Sequence, residues 1–214
     1  MLFIFDWDGT LIDSAHKIVG AMQAAISEQQ LPSRSIDDTR NIIGLGLPEA
    51  IATLYPELTE ADREVLRQGY VTHYLAADHQ PCELFPGVLA TLQKLKGQEF
   101  HLAIATGKSR RGLDRVLAQL DLRDFFDATR CADETRSKPH PQMLHELLDE
   151  LRMSVEQAVM IGDTEYDLAM ARSAGMPRIA VDYGAHAIER LLPYEPALVL
   201  TEFAQLLAYG DHFK

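Results

Sequence analysis

A chain of 214 residues, 47% of them hydrophobic, is long enough to bury a core and to carry one domain with a smaller insertion. Its 32 acidic against 20 basic residues give a formal charge of −12, which argues against a nucleic-acid groove or an anionic membrane surface as the main partner. No apolar run approaches the roughly 20 residues of a bilayer span, and Cys82 and Cys131 form no CxxC pair, which fits a reducing cytoplasm.

In chain order, Leu2 to Phe5 is a short apolar run with no basic stretch before it and an acid directly after it, and it reads as a strand rather than a signal peptide. Leu11 to Ser14 reads as a linker. From Ala15 to about Asp78 the pattern is helical with no convincing strand: Ile18, Met22 and Ile26 share one face, Pro48 suits a first helical turn after Gly44-Leu45-Gly46, and Thr59 with Asp62 resembles a capping box. This predicts an insertion of about four helices, closed by a second linker, His79 to Pro86. Helical patterns then alternate with apolar, β-branched runs. Helices are predicted at Gly87 to Lys96, Arg110 to Gln119, Pro141 to Leu151, Glu165 to Ala174 and Glu202 to Leu207. Strands are predicted at Leu102 to Ala105, Ala128 to Cys131, Ala158 to Ile161, Ile179 to Val181 and Ala197 to Leu200. The alternation implies an α/β fold with a parallel sheet covered by helices. The core is expected over 1–14 and 82–214, and a helical cap over 15–81, attached by two neighbouring linkers and so able to hinge as a lid.

Chemistry gathers where strands end. Asp6 and Asp8, two apart in extended chain, are expected to face one pocket, with Gly9 freeing the turn. Asp163 and Asp167 follow another apolar strand at helical spacing, and clustered carboxylates suit a hard cation such as Mg2+. Thr106 and Gly107 close the strand at Ala105 with a hydroxyl and a free amide, groups that bind phosphate oxygens. Gly107-Lys108-Ser109 ends like a P-loop, but Leu102 stands where the earlier glycine belongs, so that motif is rejected. Lys138 precedes a helix that Pro141 can start. The Gly44-Leu45-Gly46 turn could bring lid amides onto a substrate or simply link two helices, and Lys108 and Arg110 could read an anionic tail or face solvent. His73, His79 and His140 show no metal-ligand spacing.

Taken in order, DxDGT from Asp6, Thr106 at a later strand end, Lys138 before a helix, and GDxxxD from Gly162 to Asp167 resemble the four motifs of the haloacid dehalogenase superfamily. With DxDGTLxDS, KPHP and GDTxxDxxxAxxAG the chain is most similar to the phosphoglycolate phosphatase group, although that group often has Asn where this chain has Gly107. The resemblance implies a Rossmann-like core with a cap after strand one. It also implies a magnesium-dependent phosphatase acting on a small phosphorylated metabolite. Asp6 would be the nucleophile and Asp8 the acid and then base, with Thr106, Gly107 and Lys138 on the phosphoryl group. Mg2+ would bind Asp6, the Asp8 carbonyl and Asp163, with Asp167 behind them. A phosphomutase would share these motifs, and a non-catalytic phosphate-binding module or a receiver domain would share some. Neither substrate nor oligomeric state is written in the motifs.

Overall fold

The computed structural model describes residues 1–77 and 82–211. After β1 (Leu2–Phe5) the chain leaves the sheet for four helices, α1 (Ala15–Glu28), α2 (Ile36–Asn41), α3 (Leu47–Leu54) and α4 (Glu60–Ala76). It then alternates through α5 (Val88–Gly97), β2 (His101–Thr106), α6 (Arg110–Gln119), β3 (Ala128–Cys131), α7 (Gln142–Leu151), β4 (Ala158–Gly162), α8 (Glu165–Ser173) and β5 (Arg178–Val181). The last elements are α9 (Ile188–Leu191), β6 (Leu198–Leu200) and α10 (Leu206–Asp211). The six strands form one sheet in the order β3-β2-β1-β4-β5-β6, with every neighbouring pair parallel.

A parallel sheet needs cover on both faces, and the period-two alternation of β1 supplies an apolar side chain to each. Phe3 and Phe5 join Val88 and Leu92 of α5, Leu113 of α6 and Leu206 of α10 in one buried cluster. Leu2 and Ile4 join Leu144 and Leu147 of α7 and Met170 of α8 in the other. Each such side chain, fully buried, contributes about 1.5–3 kcal/mol. The order of strands reverses at β1, so β1 and β4 lie at the switch point where open α/β sheets leave a crevice beyond their carboxyl ends.

The four inserted helices have their own core, in which Met22 and Ile26 of α1 meet Ile51 and Leu54 of α3 and Leu66 of α4. Ile18, on the same face of α1, instead packs with Ile43 against Ala185 of the core. Thr59 caps α4 by accepting from the Asp62 amide, and Pro48 sits in the first turn of α3. The two linkers run side by side: the Asp13 amide donates to Glu83 O at 2.9 Å and the Phe85 amide to Leu11 O at 3.0 Å. The start of the second linker, including His79, lies outside the described residues.

Two expectations change. The helix expected over Glu202 to Leu207 is a 3₁₀ turn at Phe203–Gln205 that leads into α10. The four-residue α9 was not anticipated, being too short for a periodic signal. No helix among the described residues is long and apolar enough to cross a membrane.

Candidate active site

The β1 terminus delivers Asp6 into the crevice, where it is buried and its amide is tied to Ile161 O on β4 at 2.9 Å. Its Oδ1 accepts from Lys138 Nζ at 2.6 Å, and the same ammonium donates to Asp167 Oδ1 at 2.6 Å. Lys138 is itself buried, and burial alone would lower its pKa, but Asp167 and Asp6 outweigh that and hold it above the ordinary lysine range. Asp163, at the turn after β4, accepts from Thr10 Oγ1 at 2.8 Å and from the Ala185 amide at 2.7 Å. Gly9 is required here: its φ is +87°, and a Cβ on it would stand 2.1 Å from Asp163 Oδ2.

Asp167 does not share a helix with Asp163, as the spacing had suggested. Asp163 lies in the turn before α8, Thr164 is the N-cap, and Asp167 closes a capping box whose Oδ2 accepts from the Thr164 amide and hydroxyl at 3.1 and 2.6 Å. Its other oxygen serves Lys138, so one carboxylate both starts the helix and anchors the lysine.

Asp6, Asp163 and Asp167 each offer an oxygen within 4.8 Å of the others. Among the described residues a single ammonium, that of Lys138, is paired with these three carboxylates, so that in their ionised form two negative charges would remain in a buried space. Asp6 Oδ2 is buried with no hydrogen-bond partner. Burial, with Asp167 and Asp163 adding and Lys138 opposing, pushes Asp6 well above the usual carboxylate range. Burial and the neighbouring Asp167 push Asp163 up to about 7. An orphaned carboxylate oxygen beside two uncompensated charges fits a divalent cation with oxygen ligands.

This makes a stability prediction. A carboxyl whose folded pKa is raised stabilises the fold fully below its unfolded pKa of about 3.9, and that contribution is lost as pH rises through the folded value. Metal-free protein should therefore melt at a lower temperature at about pH 8 than at about pH 5.5, and millimolar Mg2+ should recover most of the difference at the higher pH. Thermal melts of the wild type and Asp163→Asn test this: the substitution should flatten the dependence, and an equally steep slope in both would exclude Asp163 as its source.

Asp8 lies outside the acid cluster. Its Oδ1 accepts from Ser14 Oγ at 2.5 Å and pairs with Lys108 Nζ at 3.0 Å. It lines a cavity of about 60 Å³ with Trp7, Ser14, Lys17, Tyr74, Lys108 and others. Thr106 is fully buried at the end of β2 and accepts from the Lys108 amide at 3.2 Å. Arg110 turns away from this region, to Glu134 at 2.8 Å and Asp114 at 3.2 Å, and so is not brought to the site.

The Gly44-Leu45-Gly46 turn does reach the core, where the Gly46 amide is taken up by a side chain of the core. The Gly46 amide donates to Ser137 Oγ at 2.8 Å, next to Lys138. A Cβ at Gly107 would lie 2.5 Å from Leu45 O and 2.7 Å from Gly44 O, so only glycine admits this approach of the cap. That gives the departure from Asn at this position a physical reason. Four further contacts fasten the cap to the core. Arg40 donates to Gly184 O at 2.7 Å and Ala185 O at 2.8 Å, Tyr166 Oη donates to Asn41 O at 3.0 Å, and His186 Nε2 lies 3.1 Å from Asn41 O. His186 Nδ1 accepts from the Glu165 amide at 3.2 Å, which puts the ring proton on Nε2, and burial followed by Arg190 holds its pKa low.

Thr10, Ser14, Lys17, Ser137 and the Gly184–His186 segment are site residues that sequence reasoning passed over. Thr10 and Ser14 stood inside a quoted motif without a role. Lys17 and the 184–186 segment carry no local signal, since only the tertiary fold brings them here.

A family model described as "Haloacid dehalogenase-like hydrolase" matches residues 3–181. The phosphoglycolate phosphatase of Agrobacterium fabrum is 31% identical over 210 residues, 96% of this chain and 90% of that protein. The phosphoglycolate phosphatase of Aliivibrio fischeri is 31% identical over 215 residues, 97% of this chain and 95% of that protein. Among solved structures, a haloacid dehalogenase-like family hydrolase from Streptococcus pneumoniae superposes with a TM-score of 0.84 at 28% identity, covering 98% of this chain and 97% of that one.

Proposed function

Because the chain belongs to the haloacid dehalogenase-like hydrolase family and is a phosphatase, we propose that it hydrolyses a small phosphate monoester, phosphoglycolate-like in size, through a phosphoryl group carried on Asp6. The observation that carries this reading is the buried Lys138 ammonium between Asp6 Oδ1 and Asp167 Oδ1 with Asp6 Oδ2 left open. That arrangement fixes the Asp6 carboxylate at the end of β1 by the same ammonium that would meet the phosphoryl group.

The Asp6 oxygen forms a bond to phosphorus as the ester P–O bond breaks, and the electron pair goes to the leaving oxygen, which takes a proton from Asp8. Asp8, now a carboxylate, then accepts a proton from the water that opens the acyl phosphate, and Asp6 is regenerated. Thr106 Oγ1, the Gly107 amide and Lys138 Nζ hold the phosphoryl oxygens while charge builds on them. Asp6, the Asp8 carbonyl and Asp163 would hold the metal, with Asp167 fixing Lys138 behind them. Bound there, Mg2+ supplies positive charge against the phosphoryl oxygens and the developing negative charge. The turn 44–46 and Arg40, fastened to the core, exclude bulk water. The small space beside Asp8 favours water over a sugar as acceptor, and so hydrolysis over a mutase reaction.

Phosphate release from an activated aryl phosphate tests the reading. Release is expected with Mg2+ and should fall to background in excess chelator; undiminished turnover there would exclude the metal assignment.

A further inference from the structure

The cap and the acid cluster meet across one peptide unit. In the loop after β5, the Gly184–Ala185 peptide has its two polar ends engaged on opposite sides. The Ala185 N–H donates to Asp163 Oδ2 at 2.7 Å, and the Gly184 carbonyl accepts from Nη2 of Arg40, on α2 of the cap, at 2.7 Å. Arg40 Nε also donates to the next carbonyl, that of Ala185, at 2.8 Å. A guanidinium is a rigid planar fork, so gripping two successive carbonyls fixes their orientation as well as its own. The segment lies flush on the carboxylate: a Cβ on Gly184 would stand 2.1 Å from Asp163 Cβ and 2.4 Å from its Oδ2. With Thr10 Oγ1 donating to Oδ1 at 2.8 Å, both Asp163 oxygens are held, one of them through a loop that the cap grips.

Resting on the reading of Asp163 as a metal ligand, we propose that Arg40 is a positioning residue for the metal site: from the cap, it acts through the Gly184–Ala185 peptide to orient the Asp163 carboxylate and so raises affinity for Mg2+. Two physical effects link the cap to the metal. Donation from a cation to the carbonyl of a peptide polarises it and strengthens the N–H at its other end as a donor. A ligand carboxylate held in orientation by hydrogen bonds binds its metal more tightly, and loss of such a partner costs roughly 10–100-fold in metal affinity. Linkage makes the coupling reciprocal, so an occupied metal site favours the docked cap and with it a closed active site. Tyr166 offers a comparison: its Oη donates to Asn41 O at 3.0 Å, fastening the same corner of the cap by a bond that does not pass through the Gly184–Ala185 peptide.

The test measures Mg2+ affinity on the full-length protein without substrate, by calorimetric titration and by the rise in melting temperature over its value in chelator. Arg40→Met should weaken Mg2+ binding by roughly 10-fold, the lower end of the range because Arg40 acts through a peptide. Gly184→Ala, with Arg40 intact, should weaken it at least as much, since the added methyl displaces the segment from Asp163. Arg40→Lys keeps the charge without the fork and should recover only part of the loss. Tyr166→Phe, which shares no partner with Asp163 along this path, should stay within about 2-fold of wild type. Melts in chelator check that each variant is folded, which the cap's own core makes the expected result. Should Arg40→Met fail to fold, Arg40→Lys decides on the same scale, with a loss of about 3-fold or more expected. Wild-type Mg2+ affinity in the Arg40 variants, or an equal loss in Tyr166→Phe, would overturn the positioning role and leave Arg40 as an ordinary cap contact, with the phosphatase reading standing. Failure of wild type itself to bind Mg2+ would instead remove the metal reading of Asp163, and the proposal with it.

Discussion

Replacing Asp6 by asparagine should lower turnover by roughly 10⁴-fold or more, as loss of an essential nucleophile does, without loss of fold. The amide is nearly the same size, so the buried turn after β1 keeps its packing and the hydrogen bond that the residue 6 backbone N–H donates to Ile161 O. The electrostatics run in the variant's favour. Asp6 is one of three clustered carboxylates facing one ammonium, and burial pushes its pKa well up, the mark of a charge the fold accommodates at a cost. Removing that charge relieves repulsion with Asp163 and Asp167, while Lys138 keeps its 2.6 Å bond to Asp167. The metal-free variant should therefore melt no lower than wild type, and its stabilisation by Mg2+ should be smaller. Steady-state kinetics on a preparation free of wild-type protein, with melts in chelator and in Mg2+, would check both parts. Residual activity above about 1% of wild type would mean that another group attacks phosphorus.

The sheet was legible because its strands are short apolar runs, and the run of β1 falls within the sequence exactly where the structure places it, at Leu2–Phe5. Helix capping was equally local: Thr59 and Pro48 announce α4 and α3 with a few residues each. The site was legible in part for the same reason. Asp6, Thr106 and Asp163 each sit where a strand ends, so finding the strands found the residues. What the sequence could not show is how the charges are shared. Asp6 and Asp8, two residues apart, turn out to have different partners: Asp6 joins the acid cluster and Asp8 pairs with Ser14 and Lys108. Spacing fixes the side of a strand from which a residue leaves, but not which cation waits there. Lys17 lies 91 residues from Lys108 in sequence, by difference of their numbers, and no local pattern links them. They meet because α1 carries Lys17, and α4 carries Tyr74, to the same place beside Lys108. The cap's reach onto Gly107 was likewise invisible, since a missing side chain says nothing about what approaches the space it leaves.

Replacing Lys138 by methionine should cost both activity and stability, in contrast to Asp6→Asn. Methionine keeps much of the stem's volume, so the packing loss is small and the effect is chiefly that of the charge. Among the described residues Lys138 is the sole cation bonded to Asp6 and Asp167, at 2.6 Å to each, and its side chain is fully buried. Without it, three carboxylates face one another in a space closed to water, and breaking a buried pair by removing one partner typically costs about 3–5 kcal/mol. The protein should respond by taking up protons: the melting temperature of metal-free Lys138→Met should fall well below wild type near neutral pH and recover as pH is lowered, because neutral carboxyls no longer repel. Mg2+ should stabilise the variant by more than it stabilises wild type, since it then supplies the only positive charge in the cluster. Turnover should nevertheless stay low, by about 10²-fold or more, because a metal held by the carboxylates would not replace the ammonium as a donor to the phosphoryl oxygens. Wild-type kcat in Lys138→Met at saturating Mg2+ would remove Lys138 from the reaction, and a pH-independent stability loss would assign its role to packing alone.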